Sequence, residues 1–447
     1  MLEKFFEFSK NKTSARTEIL GGLTTFLAMA YILFVQPAVL SRDFTGNPTG
    51  LGFEAVFIAT CLASALASIL MGIYARYPIA LAPGMGENFF FVSCVMSLAG
   101  LGFKEPWRVA LGIVFISGVL FICASLGGVR EILVGGLSAS LRSGIASGIG
   151  LFIALIGLRN GGIVVVKAGT GIGLNPHLAS AEMAIFCFTL AVTVPLLRRR
   201  APGAILWGIL GGAVPAIFFG GMEWPQVFFG FPDFSKNVFG AMDLRSALSP
   251  ECVPLILVFF FMVLFDTTGT LIAVAEHAGF MRGSELPRAR EAFLVDALAT
   301  AGGAALGTST VTSYVESAAG VEQGARTGFA SVVTGFCFLA ALFFSPLIAL
   351  IGTHPALTAP ALLVVGALMG QNVSKIDWPD FSESFPAFLI MIGIPMTYSI
   401  ADGIALGLVS YPVIKLLSGR AREVRPAMYV TSALLVAYFI FIRNRLA

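Results

Sequence analysis

Apolar segments long enough to cross a bilayer follow one another along almost the whole chain, and this alternation leaves few folds open. A helix needs about 20 apolar residues to cover the hydrocarbon. Candidate spans lie near 19–41, 51–74, 79–99, 107–126, 142–158, 180–197 and 202–220. After a polar, proline- and aromatic-bearing loop at 221–251, further spans lie near 252–280, 289–306, 309–321, 327–352, 356–371, 384–398 and 400–418. The pattern predicts an all-α polytopic membrane protein with fourteen transmembrane helices, seven in each half, split into residues 1–250 and 251–447. A last apolar stretch, 428–442, reads either as a fifteenth span or as a helix lying at the interface. Only 12% of the residues are charged, about half the share of a soluble domain, which argues against a water-soluble enzyme.

Basic residues mark the sides of such a chain, because short cytoplasmic loops retain Lys and Arg. With the N-terminus inside, 19 of the 28 Lys and Arg fall on the cytoplasmic side and seven on the other. The expected location is therefore the cytoplasmic (inner) membrane, multi-pass, with a cytoplasmic N-terminus. The first 18 residues lack the apolar core and small-residue cleavage site of a signal peptide, so the first span is expected to direct insertion. No basic run exceeds Arg198–Arg200, so nucleic acid is not an expected partner. The six cysteines lie in or beside apolar segments without CxxC spacing and read as free, buried thiols.

Two segments interrupt the spans in matching ways. APGMGENFFF (82–91) opens the third span with Pro83, Gly84 and Gly86, and AGGAALGTSTVTSYVES (301–317) opens the tenth with Gly302, Gly303 and Gly307. From Gly86 to Gly307 is 221 residues, close to half the chain. An odd number of spans per half makes the repeat inverted. Paired interruptions point to a transporter's binding site, where unwound backbone faces a cavity at mid-membrane.

Carboxylates at membrane depth are functional candidates, since lipid cannot solvate them. Asp266 lies near the middle of its span, and Thr267, Thr268 and Thr270 are placed to hydrogen-bond it. It reads as a proton-coupling or site-organising group, or as a buried residue tying two helices together. Glu316 follows the second break and is expected to share a helical face with Thr312 and Gly320. Glu87 and Asn88 occupy the corresponding place in the first half, with Phe89 to Phe91 following. An amide and a carboxyl beside an aromatic ring suit a flat ligand with a polar edge. The alternatives are a core phenylalanine run and an amide that caps a broken helix. No phosphate-binding loop and no HExxH segment occurs, so neither ATP-driven pumping nor zinc hydrolysis is expected. No cofactor is expected either, and a proton gradient would supply the energy.

Across almost its whole length the chain resembles the nucleobase–cation symporter 2 superfamily, specifically the AzgA-like adenine/guanine/hypoxanthine permease branch. The matching segments are GGLTTFLAMAYILFVQPAVLS (21–41), APGMGENFFF (82–91), LFDTTGTLIAVAEHAGF (264–280), GTSTVTSYVESAAGV (307–321), GARTGFASVVTG (324–335) and YSIADGIALGLVSY (398–411). The resemblance implies two inverted seven-helix repeats, with helices 3 and 10 broken and carrying short antiparallel strands. It implies a substrate-carrying core (17–127 and 251–352) and a gate (128–222 and 355–420) that mediates a homodimer. It implies a purine nucleobase as ligand, bound by Asn88 and Glu316, with Tyr314 and Val315 also lining the pocket. The branch has two acidic residues three apart on the eighth span, whereas this chain has Val263 and then Asp266. Glu87 stands where an apolar residue is usual, so the acidic partner is expected to have moved to the facing half-helix. A uracil or xanthine carrier of the sister branch, or an anion carrier of the same fold, is the alternative.

Overall fold

Inside a bilayer the backbone has no water to bond to, so each described segment at membrane depth must satisfy its own N–H and C=O groups. A computed structural model describes residues 2–127, 138–167, 171–281 and 286–426, and those of 428–436 other than 430, 431 and 434. Most of the apolar stretch 428–442 therefore lies outside the described residues.

Eight segments among the described residues are helical, apolar and long enough to cross a membrane: Ala15–Leu40, Phe53–Ala75, Pro106–Leu126, Ala139–Asn160, Ala181–Arg198, Pro250–Glu276, Phe329–Gly352 and Pro355–Lys375. Shorter apolar helices cover Met85–Gly100, Ala204–Phe219 and Phe381–Thr397. Helices Ala289–Leu306, with Arg290, Glu291 and Asp296, and Ile400–Leu417, with Asp402 and Lys415, fill two further expected spans. The first segment is itself divided, with helices Ala15–Met29 and Ile32–Leu40 meeting at Ala30 and Tyr31. Cys61, Cys94 and Cys252 are buried as expected, but Cys123 and Cys187 are exposed on their helices. An apolar segment in lipid needs no inward face for every thiol, which is why position in a span does not predict burial here.

The two interruptions take different forms. Pro83 and Gly84 stop the third span from starting as a helix: Leu81–Pro83 is a strand, β1, and the helix Met85–Gly100 begins only after it. In the second half Gly302 and Gly303 do not open the tenth span. They lie inside Ala289–Leu306, which ends at Gly307 with a left-handed φ of +99°. The strand Val311–Ser313 then runs back so closely that a Cβ on Gly303 would stand 2.6 Å from Val311 Cγ2. We label this strand β4, counting the hairpin strands β2 (Val164–Lys167) and β3 (Gly171–Leu174) between. Only the short helix Ser317–Glu322 follows it. Thr312 is thus on a strand, and the single helical face expected for Thr312, Glu316 and Gly320 does not exist.

Helices from the two halves pack on each other. Ala139–Asn160 lies against Pro355–Gly370 and Phe381–Thr397, and Pro106–Leu126 lies against Ala289–Leu306. Phe329–Ala341 lies against Phe53–Leu70 and Ala15–Met29. Glu18, fully buried on the first helix, accepts the backbone N–H of Arg326 at 2.8 Å and of Thr327 at 3.2 Å. Just beyond, Gly21 meets Gly320 and Ala325: a Cβ on Gly21 would stand 2.6 Å from Ala325 Cβ and 3.0 Å from Gly320 O. Absence of side chains here lets Ser317–Glu322 touch Ala15–Met29, which brings Glu316 beside Tyr31. A Gly320→Val variant should force these helices apart at a cost of about 1–3 kcal/mol, lowering the melting temperature of the detergent-solubilised protein measurably against wild type.

Candidate functional site

Strands β1 and β4 pair antiparallel with Leu81 opposite Ser313, Ala82 opposite Thr312 and Pro83 opposite Val311. The ladder continues past both ends, since Gly84 N–H donates to Thr310 O at 3.0 Å and Tyr314 N–H to Ala80 O at 3.0 Å. Neighbouring hydroxyls serve the outward-facing backbone groups. The Ser68 hydroxyl accepts Leu81 N–H at 2.9 Å and donates to Leu81 O at 3.1 Å, while the Ser317 hydroxyl accepts Ala80 N–H at 3.0 Å. The Tyr314 hydroxyl donates to Pro83 O, so this expected pocket residue ties the two strands together. The flanking Val315 is 55% exposed.

The four carboxyl groups around this crossing have different surroundings. Asp266, presented by Val253–His277, is exposed, and the Thr312 hydroxyl lies 3.4 Å from its Oδ2. Glu316, half-buried, accepts a hydrogen bond from the Tyr31 hydroxyl at 2.9 Å. Glu87 is 3% exposed and folds its carboxyl back over Gly84, where Thr312 Cγ2 also approaches. Asp296, which the sequence reading passed over, is fully buried on Ala289–Leu306 behind the strands. It accepts Ser313 N–H and the Ser313 hydroxyl, each at 2.8 Å, and the Thr267 hydroxyl. Thr267 and Thr312 hydroxyls stand 3.2 Å apart, so a continuous line of polar contacts joins Asp266 to Asp296 through the threonines.

Asn88 is buried and its amide is already engaged. Its Nδ2 donates to Gln36, and its Oδ1 accepts the Ser309 hydroxyl; Gln36 Nε2 in turn donates to Thr308 at 3.0 Å and Ser309 at 3.2 Å. The amide therefore braces the first segment against the third and the tenth. Phe89, 1% exposed, stacks on Phe44 with centroids 6.2 Å apart and meets Phe152 edge-on. Val263 is 1% exposed and belongs to an apolar cluster that also holds Leu81 and Val311 under the crossing.

The structure thus gathers Glu87, Asn88, Asp266, Thr267, Tyr314, Val315 and Glu316 around one strand pair, while Val263 and Phe89 sit in apolar packing beside it. Tyr31, Gln36, Asp296 and Ser313 were not singled out from the sequence. Asp296 had a usable signal, a carboxyl in the middle of an apolar run, and Gln36 is the only amide in the first span. Among the described residues no group of three or more His, Cys, Asp or Glu is placed to hold a metal ion.

The chain is similar to known membrane permeases over most of its length. A profile described as "Permease family" matches residues 16–406. The guanine/hypoxanthine permease PbuG of Bacillus subtilis (strain 168) is 45% identical over 99% of this chain and 100% of its own. The adenine permease AdeQ of Escherichia coli (strain K12) is 38% identical over 99% of this chain and 96% of its own. The transmembrane domain of the cyanobacterial bicarbonate transporter BicA has a similar fold, with a TM-score of 0.65 over 87% of this chain and 97% of that one, at 14% identity.

Three buried donors converge on Asp296, and each would lose its acceptor in Asp296→Ala. At about 1–3 kcal/mol for each stranded group, the variant should be destabilised by at least ~3 kcal/mol, seen as a large drop in the thermal midpoint in detergent.

Proposed function

Because the chain belongs to this permease family, within the nucleobase–cation symporter 2 superfamily that its motifs resemble, we propose that it is a proton-coupled carrier of purine nucleobases across the inner membrane. It is a multi-pass membrane permease of the nucleobase-transporting kind, not an enzyme. Guanine, hypoxanthine and adenine are the substrates named for its relatives. The finer organisation we propose is fourteen spans in two inverted repeats (1–250 and 251–447), a core and a gate, a cytoplasmic N-terminus and a homodimer formed through the gate.

The observation that carries the reading is that Glu316 and Asp266 both come close to the β1–β4 pair, one beside Tyr31 and the other beside Thr312. A neutral purine offers N–H donors along one edge, and a carboxylate accepts them with directed bonds that an apolar wall cannot supply. Glu316, held by Tyr31, takes the base; Tyr314 and Val315 wall the site, and Phe89 supports it from the apolar packing beside it. Asn88 fixes the geometry of the third and tenth segments and is reached by a base that displaces one of its partners. Asp266 is the proton-carrying group, organised by Thr267 and Thr312. Protonation of a carboxylate removes an acceptor and adds a donor, so binding of base and of proton are linked.

Glu87 takes the place of the carboxyl missing at Val263. The apolar surroundings of Val263 support this, because an acid there would have to be buried among Phe260, Leu264 and Phe293, whereas Glu87 lies beside the Thr312 that reaches Asp266. An anion carrier of the same fold would not present Glu87, Asp266 and Glu316 to its substrate.

In a host without its own carriers, the protein should accumulate labelled guanine, hypoxanthine or adenine several-fold over an empty control, and a protonophore should abolish the excess. Glu316→Gln should lose uptake, and Glu87→Gln should alter its pH dependence. Uptake of uracil or xanthine alone would favour the sister branch, and no uptake of any base by inserted protein would defeat the reading.

A further inference from the structure

The loop between Ala204–Phe219 and Val253–His277, expected from the sequence to be aqueous, is lined with exposed aromatic rings. Phe231 is 89% exposed, Trp224 and Phe229 are each 65%, and Val227 is 54%; Phe218 and Phe219, at the end of the preceding helix, are 71% and 78%. A contiguous apolar face of this kind is unfavourable in water.

The loop does not hang free. Gly230 N–H donates to Phe343 O at 2.9 Å, Phe229 packs on Phe344 with centroids 4.7 Å apart, and Phe231 meets Phe343 edge-on at 5.5 Å. Phe343 belongs to the apolar segment Phe329–Gly352. Phe343 lies in the 3-10 turn Leu342–Phe344 that joins the helices Phe329–Ala341 and Ser345–Gly352. The seat of the loop is therefore an apolar segment and not a polar one.

Along 224–231 Pro225 has no backbone N–H and that of Gly230 goes to Phe343 O, so the others need water and hold the backbone at the headgroup level. Immediately afterwards the character reverses: Asp233 accepts Ser235 N–H at 3.1 Å and Lys236 pairs with Glu54. Residues 233–237 thus mark where the chain re-enters water.

We propose that the backbone of residues 224–231 lies at the headgroup boundary of one leaflet, with the Trp224, Phe229 and Phe231 rings dipping into the hydrocarbon, so that this connector rides on the bilayer and on the Phe329–Gly352 segment together. Trp and Phe suit that boundary, where a ring can be apolar on its body and near water at its rim. The occupant is lipid and not a second copy of the chain, because the patch continues the outward face of a membrane-crossing segment.

The test uses the full-length protein in bilayers, in a background lacking the accessible Cys123, Cys187 and Cys337. Single spin labels are placed at Phe231→Cys, at Trp224→Cys and, as an aqueous control, at Ser235→Cys; retained monodispersity and labelling confirm folding. Collision with oxygen, which partitions into lipid, is compared with collision with a water-soluble nickel chelate. The oxygen-to-nickel accessibility ratio should be several-fold higher at positions 231 and 224 than at 235. Equal ratios at all three positions would place the loop in water and overturn the proposal. Low accessibility to both reagents at 231 and 224 would mean protein covers them, as in a contact between two copies, and would overturn it equally. Neither outcome bears on which base is carried.

Discussion

Two strands of three residues each, isolated among helices, have no strand to pair with but one another, and the remaining architecture follows from meeting that need. Neither Leu81–Pro83 nor Val311–Ser313 is adequate alone: each would leave backbone groups stranded where no water compensates for them. Their pairing completes the ladder only when both halves of the chain are assembled. Ser68 and Ser317 supply the last bonds from outside the pair. The site is accordingly a product of the whole fold, with Tyr31 from the first segment, Asp266 from the Val253–His277 helix and Asp296 from the helix before β4 all reaching the same few residues.

This dependence explains which features could be read along the sequence. Span positions are written in local hydropathy, and Pro83 and Gly84 announce a break that the structure keeps. Asp266, Glu316 and Glu87 are conspicuous because a carboxyl in an apolar run is expensive to bury. Asp296 is no less conspicuous by that rule, but its helix also carries Arg290 and Glu291 and so reads as partly polar. Gly302 and Gly303 mislead for a different reason: both lie within a continuous helix, and Gly303 is small to let β4 pack across it. That purpose depends on residues that come later in the chain and on how they fold back. Tyr31 and Gln36 were illegible because their partners lie 285 and 52 residues away.

The loop at 221–251 shows the same limit from the other side. Its prolines and scattered charges resemble an aqueous connection, and the bond from Gly230 to Phe343 with the ring contacts beside it shows that it is seated on an apolar segment. Likewise, similarity of fold to a bicarbonate transporter at 14% identity speaks for the architecture alone. At the crossing this chain has the carboxyl groups of Asp266 and Glu316, which suit the N–H edge of a neutral base better than an anion.

Asn88 gives that site an unusual kind of economy. Because its amide already holds Gln36 and Ser309, a base that reaches it exchanges one hydrogen bond for another and gains little net binding from the contact. In the carrier we propose, discrimination would then rest on the quality of the exchange: a matching edge would leave Gln36 and Ser309 to re-bond with Thr308 or with each other, while a mismatched edge would strand them. Selection made in this way costs little affinity, which lets a carrier recognise its cargo closely and still release it on the far side.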